Sequence, residues 1–160
     1  NKPSSDFTRK VLTVFKKTDD MGMFFDSFMD THVNQNSQNA PIYTSTNHPI
    51  LSELTSNVEK LVVTCPAPTS ALMDVYKSNN PTKSITDSTN RVAVDEPIKS
   101  VTFVLYSRKD QRGKYAPSDP VHVHTAYPSS NPVSDTKVTI YKIDKTTTTK
   151  CWDKNAHLLK

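Results

Sequence analysis

Apolar positions recur at helical spacing through the first third of the chain. Phe7, Val11, Val14 and Phe15 fall at i, i+4, i+7 and i+8 behind Asp6, a residue suited to cap a helix, so the spacing predicts a first helix over about 7–17. Thr18-Asp19-Asp20 then offers new capping side chains. Met21, Phe24, Phe25, Phe28 and Met29 follow at i, i+3, i+4, i+7 and i+8, with Asp26 and Asp30 on the wet side, and this second helix is the clearest element of the sequence. A polar stretch, 34–40, separates it from a short strand expected at Pro41-Ile42-Tyr43. A third, short helix is expected near Asn47, with Pro49 in its first turn and Ile50, Leu51 and Leu54 along one edge.

From residue 58 the period changes from 3.6 to 2. Leu61, Val63 and Cys65 alternate with Val62 and Thr64 until Pro66 and Pro68, which cannot donate to a ladder. Residues 71–76 read as a weaker strand or a helical turn, 79–90 as a polar loop, and 91–94 as a short strand. The strongest strand is 99–107: Val101, Phe103 and Leu105 line one face and Thr102, Val104 and Tyr106 the other, the pattern of a central strand covered on both sides. Strands over 121–127 and 137–143 follow, and the Thr-rich tail with Cys151 and Trp152 reads as a last edge strand.

These elements predict an α+β fold, N-terminal helices packed on a twisted, mainly antiparallel β-sheet, in a single domain over 1–160 with a helical part at about 5–57 and a sheet part at about 58–152. The expected core joins Phe15, Phe24, Phe25, Phe28, Leu61, Val63, Val101, Phe103 and Leu105. It is lean. Leu, Ile, Val and Phe together occupy 35 of 160 positions, just above the level of about 20% below which charged chains tend to stay disordered.

Composition narrows the function classes. Two glycines, Gly22 and Gly113, exclude the Gly-rich loops that cradle phosphates in Walker-type and dinucleotide-binding enzymes, and no cofactor is expected. No apolar run approaches the roughly 18 residues of a membrane-spanning helix, so no membrane span is expected. The two cysteines, Cys65 and Cys151, do not form the dense framework of a small secreted scaffold, and whether they pair is left open. No Asn-x-Ser/Thr acceptor survives Pro81 in Asn80-Pro81-Thr82. With no signal segment, that favours an intracellular location. Residues 1–60 carry six Lys or Arg against seven Asp or Glu and residues 61–160 carry fourteen against nine, so the net +4 resides in the second part. Such a field suits acidic partners, RNA included, but is also what ordinary soluble domains carry.

Two constellations are candidates for chemistry. In His122-Val123-His124 the two-residue period of a strand sets both imidazoles on one face about 7 Å apart, fit to share a metal ion or to act as general base beside an Asp. The reading the sequence favours is plainer: Val121, Val123 and Thr125 face inward, and the two imidazoles titrate near neutral pH on a sheet surface. The second is the segment 108–120, in which Arg108, Lys109, Arg112 and Lys114 beside Tyr115 form a basic finger suited to phosphates and stacked bases, or to a protein partner. A solvated charged loop is the commoner meaning of such a segment. No nucleophile motif is present, and Asp19-Asp20 and Asp95-Glu96 fall at caps or turns.

The run from Phe7 to Val33, with Phe15 late in the first helix, an acidic turn at Asp19-Asp20, bulky Phe24, Phe25 and Phe28, and a third helix at Ile50–Leu54, resembles the opening of the nuclear transport factor 2-like superfamily over about the first 65 residues. The resemblance implies a curved antiparallel sheet behind the helices. It implies one of two roles: a cone-shaped pocket in which Asp and His serve a dehydratase or isomerase, or a non-catalytic sheet surface that pairs with another copy or with a partner domain.

The leading functional expectation is a non-catalytic binding or assembly module that engages a protein partner or itself, including a structural part of a virus-like assembly. It is motivated by the missing cofactor loop, nucleophile and closed metal set. The alternatives are a small pocket enzyme using His122 or His124, and RNA or single-stranded DNA binding through 108–114.

Overall fold

The structure, a computed structural model, describes residues 11–32, 48–67, 70–79, 88–107, 121–153 and 158–159. It contains one α-helix and eight strands among those residues: β1 (Val11–Phe15), α1 (Thr18–His32), β2 (Val58–Pro66), β3 (Leu72–Ser78), β4 (Arg91–Pro97), β5 (Ser100–Tyr106), β6 (His122–Ser129), β7 (Thr136–Lys142) and β8 (Thr147–Trp152). Every strand pair is antiparallel. The strands form two sheets, one in the order β1-β3-β4 and one in the order β6-β5-β2-β7-β8.

The expected first helix is corrected. Its described part, Val11–Phe15, is a strand that pairs with β3 from Val11 opposite Lys77 to Phe15 opposite Met73. Val, Thr and Val in five residues favour the extended chain, and pairing with β3 decides a segment whose apolar positions fit either period. Among the described residues α1 is therefore the one α-helix packed on the sheet, and a strand lies within the part read as helical. The third helix is a single 3-10 turn, Leu51–Glu53. Its start is organised by His48, whose Nδ1 accepts the N–H groups of Ile50 and Leu51 at 3.1 and 3.3 Å. The strand expected at 41–43 lies outside the described residues.

Helix α1 forms where the sequence placed it, with Asp19 and Asp20 in a first turn that suits negative charge. Phe24, Phe28 and Met29 are buried and Phe25 is half-buried, while Met21, expected on the same face, is 40% exposed. The helix lies over Phe103 of β5: the Phe25 ring meets it edge-on at 5.3 Å and the Phe28 ring stacks on it at 5.8 Å. Leu61, Val63, Val101, Phe103, Leu105, Val138 and Ile140 complete this face of the five-stranded sheet. From the other sheet Met73 and Val75 join the same core, with Phe15 packed against it 6.0 Å from the Phe24 ring.

The two sheets are joined by one bent ribbon. Pro66 pairs with Ser100 in one sheet and Leu72 with Pro97 in the other. Between them the Ala67 N–H donates to Lys99 and the Ile98 N–H to Ala71, at 3.1 and 2.9 Å. Hence β2–β3 and β4–β5 run as two long arms that bend together, with Pro66 and Pro97 at the corner, where a missing N–H costs least. The Thr13 hydroxyl on β1 donates to the Pro128 carbonyl on β6 at 2.8 Å and ties the sheets a second time. Strand β5 is interior, as its double-faced pattern required, but the middle position belongs to β2.

Candidate functional site

The imidazole pair on β6 stands where the strand period put it, with ring centroids 6.4 Å apart. The inward set differs from the expectation, because β6 carries a bulge. Thr125 pairs with Val104, but Val123 pairs with Leu105, so His124 is the extra residue. Downstream of the bulge the alternation shifts by one: Val121 and Val123 still pack on the core, Ala126 takes the next inward place, and Thr125 is exposed. The bulge turns His124 toward Tyr106, a buried residue whose ring it meets edge-on at 5.3 Å. Two imidazoles and a phenol thus share one face of the sheet. Among the described residues no group of three or more His, Cys, Asp or Glu is placed to hold a metal ion.

Arg108, Lys109, Arg112, Lys114 and Tyr115 lie outside the described residues. The two thiols are free. Cys65 is on the core face of β2. Cys151 shares the opposite face with Lys137 and Thr64, its successive cross-strand neighbours, and β7 lies between the two strands. Two strand spacings separate chains by about 9.6 Å, beyond the Cα separation a disulfide spans. Burial pushes the Cys65 thiol up to about 12, which removes the thiolate on which nucleophilic chemistry depends.

A cavity of about 530 Å3 opens beside the end of β7, lined by Thr55, Asn57, Val58, Lys142, Ile143 and Asp144. Neither His122 nor His124 lines it. The Asp144 carboxyl is held below its usual range by the Thr146 hydroxyl and N–H, which it accepts at 2.6 and 3.0 Å. That carboxylate organises the β7–β8 turn.

The feature that sequence reading missed is the outer edge of β4. Only a short strand over 91–94 was expected, yet β4 runs for seven residues and no described strand pairs with its outer side. Val92 and Val94 share a face with buried Val75 but are 48% and 44% exposed. On the opposite face Lys16 bridges Asp74 and Asp95 at 2.8 Å each, and Arg91 lies 4.5 Å over the Tyr76 ring. The signal was present in the alternation of Arg91-Val92-Ala93-Val94-Asp95, but an edge cannot be told from an interior strand without the pairing partners.

Comparison with protein-family models, with curated proteins and with solved structures finds no match.

Proposed function

We propose that this chain is a binding and assembly module that works by contact rather than by catalysis. The observation that carries the reading is β4: a seven-residue edge strand with two half-exposed valines on one face and charged side chains on the other. An edge strand presents unpaired N–H and C=O groups that template the addition of another strand, and proteins with no use for such an edge usually shorten it, bulge it or load it with Lys or Pro. Here the middle of the strand is Val-Ala-Val, with its one proline at the end. Of the two roles that the nuclear transport factor 2-like resemblance offers, this reading takes surface pairing over pocket chemistry.

The test measures mass by light scattering over a range of concentrations, and the retention of partners by the immobilised chain, for the chain itself and for Val92→Lys with Val94→Lys. The reading expects self-association or a retained partner that the two lysines abolish while the thermal transition stays within a few degrees. A chain that stays monomeric and retains nothing, or whose contacts are untouched by the two lysines, would contradict it.

A further inference from the structure

Resting on that reading, we infer that the occupant of the β4 edge is a second copy of the same strand, paired antiparallel about a two-fold axis at Ala93. The Ile98 N–H donates to Ala71 and the Asn79 N–H to Asn90, at 2.9 and 2.8 Å. These two contacts bracket the β3–β4 register, in which Met73 faces Glu96, Val75 faces Val94 and Lys77 faces Val92. Hydrogen-bonded pairs in an antiparallel ladder recur at every second residue. The bonded pairs therefore include Val92, Val94 and Glu96, and the backbone groups of Arg91, Ala93 and Asp95 point to the edge that no described strand covers. Pro97, next in that outward row, has no N–H and ends it.

An antiparallel partner must meet outward groups with outward groups, which leaves few self-registers. Centring on Val94 sets Arg91 against Pro97, which has no donor to return, and Ala93 against Asp95. With Val92 at the centre, Arg91 faces Ala93 and Asp95 faces Thr89. Ala93 is the centre that uses the whole row: Arg91 faces Asp95 of the second copy, Ala93 faces its own counterpart, and Asp95 faces Arg91, each pair supplying two ladder bonds. Symmetry then makes the Arg–Asp contact twice, on the face where cross-strand opposite charges are favourable. On the other face Val92 meets Val94 twice, and the exposed valines of both copies form one continuous apolar row beside Val75. Charge and apolar complementarity thus select the same register. The contact area is that of one strand pair, at the small end of specific interfaces, so the dimer is concentration-dependent.

Sedimentation of the full chain from micromolar concentration to about 1 mM tests this. The chain should pass from monomer to dimer. Arg91→Asp alone, or Asp95→Arg alone, sets like charges opposite each other at both contacts and should weaken the dimer about tenfold or more. An equimolar mixture of the two variants restores both Arg–Asp contacts across the pair and should dimerise more tightly than either variant alone, although Asp95→Arg still forgoes the bridge from Lys16. Ala93→Pro removes a donor that β3 does not use. It should abolish the dimer while leaving the thermal transition nearly in place, which guards against a variant that merely fails to fold. A parent chain that remains monomeric to about 1 mM, a mixture no tighter than its components, or a dimer indifferent to Ala93→Pro would overturn the pairing. If the chain is monomeric but still retains a partner that Val92→Lys with Val94→Lys releases, self-pairing fails and the module reading stands.

Discussion

The Phe28 ring lies 5.8 Å from the Phe103 ring with the two planes 22° apart. Through this pair the only α-helix among the described residues stands on the five-stranded sheet. Phe103 is fully buried, and Phe25 meets it from the next position of the same helix face. With so few large apolar residues in the chain, each such ring carries a large share of the stability, roughly 1.5–3 kcal/mol through burial alone.

Phe103→Ala should therefore destabilise the fold by about 3–5 kcal/mol in chemical denaturation, because the vacated space is walled by two helix residues that cannot collapse into it. Phe25→Ala, at a half-buried ring, should cost clearly less. Equal losses at the two positions would argue against α1 seating on Phe103.

Thr64 and Thr102 face each other across β2 and β5 with their hydroxyl oxygens 3.0 Å apart. Thr102→Val leaves the Thr64 hydroxyl without that partner and should cost about 1 kcal/mol. Replacing both threonines by valine restores like against like on a β surface and should recover most of the loss. Urea midpoints of the parent, the two single variants and the double variant form the cycle that checks it.

Lys145 is the one non-glycine residue with positive φ among the described residues, at 75°, in the turn between β7 and β8. A side chain there is strained, and the cost is offset by Asp144 accepting from Thr146 on the far side of the turn. Lys145→Gly should raise stability by up to about 1 kcal/mol. A loss measured by denaturant titration would mean that the lysine contributes something its backbone conformation does not reveal.

The sequence stated the period of most elements correctly and their environment less well. Helix α1 was legible because five bulky residues repeat at 3.6 and no β-branched residue interrupts the run between Asp19 and Asp30. Strands β2 and β5 were legible by alternation, and β8 by its Thr-rich composition. The strand at Val11–Phe15 was not, since apolar residues at 11, 12, 14 and 15 satisfy both periods and only β3 breaks the tie. The imidazole pair was placed on one face correctly, but the bulge at His124 leaves no trace in a pattern of Val and His. Exposure at β4 was hidden for the same reason as all tertiary facts: Val92-Ala93-Val94 reads the same whether a fourth strand covers it or not.

Cys65 carries the pH dependence that can be stated with a sign. Its Sγ lies 3.7 Å from the Val101 carbonyl, to which the thiol donates, and desolvation raises its folded value to about 12, against about 8.5 in an unfolded chain. A group raised in the folded state stabilises below its unfolded value and loses that contribution as pH climbs toward the folded one. Stability should thus decline between about pH 8.5 and 12, and Cys65→Ala should flatten the decline. In native buffer a disulfide reagent should titrate half-buried Cys151 readily and reach Cys65 only on unfolding. Two thiols reacting at equal rates would place Cys65 outside the core.

The open edge of β4 is tested most directly by amide hydrogen exchange, residue by residue, at dilute and at concentrated protein. The Val92 and Val94 amides, bonded to β3, should be protected at both concentrations. Those of Arg91, Ala93 and Asp95 should exchange rapidly when dilute and gain at least tenfold protection when concentrated. If those three exchange at the same fast rate at every concentration, the edge is unoccupied, and the account of β4 as the working surface of self-assembly is contradicted.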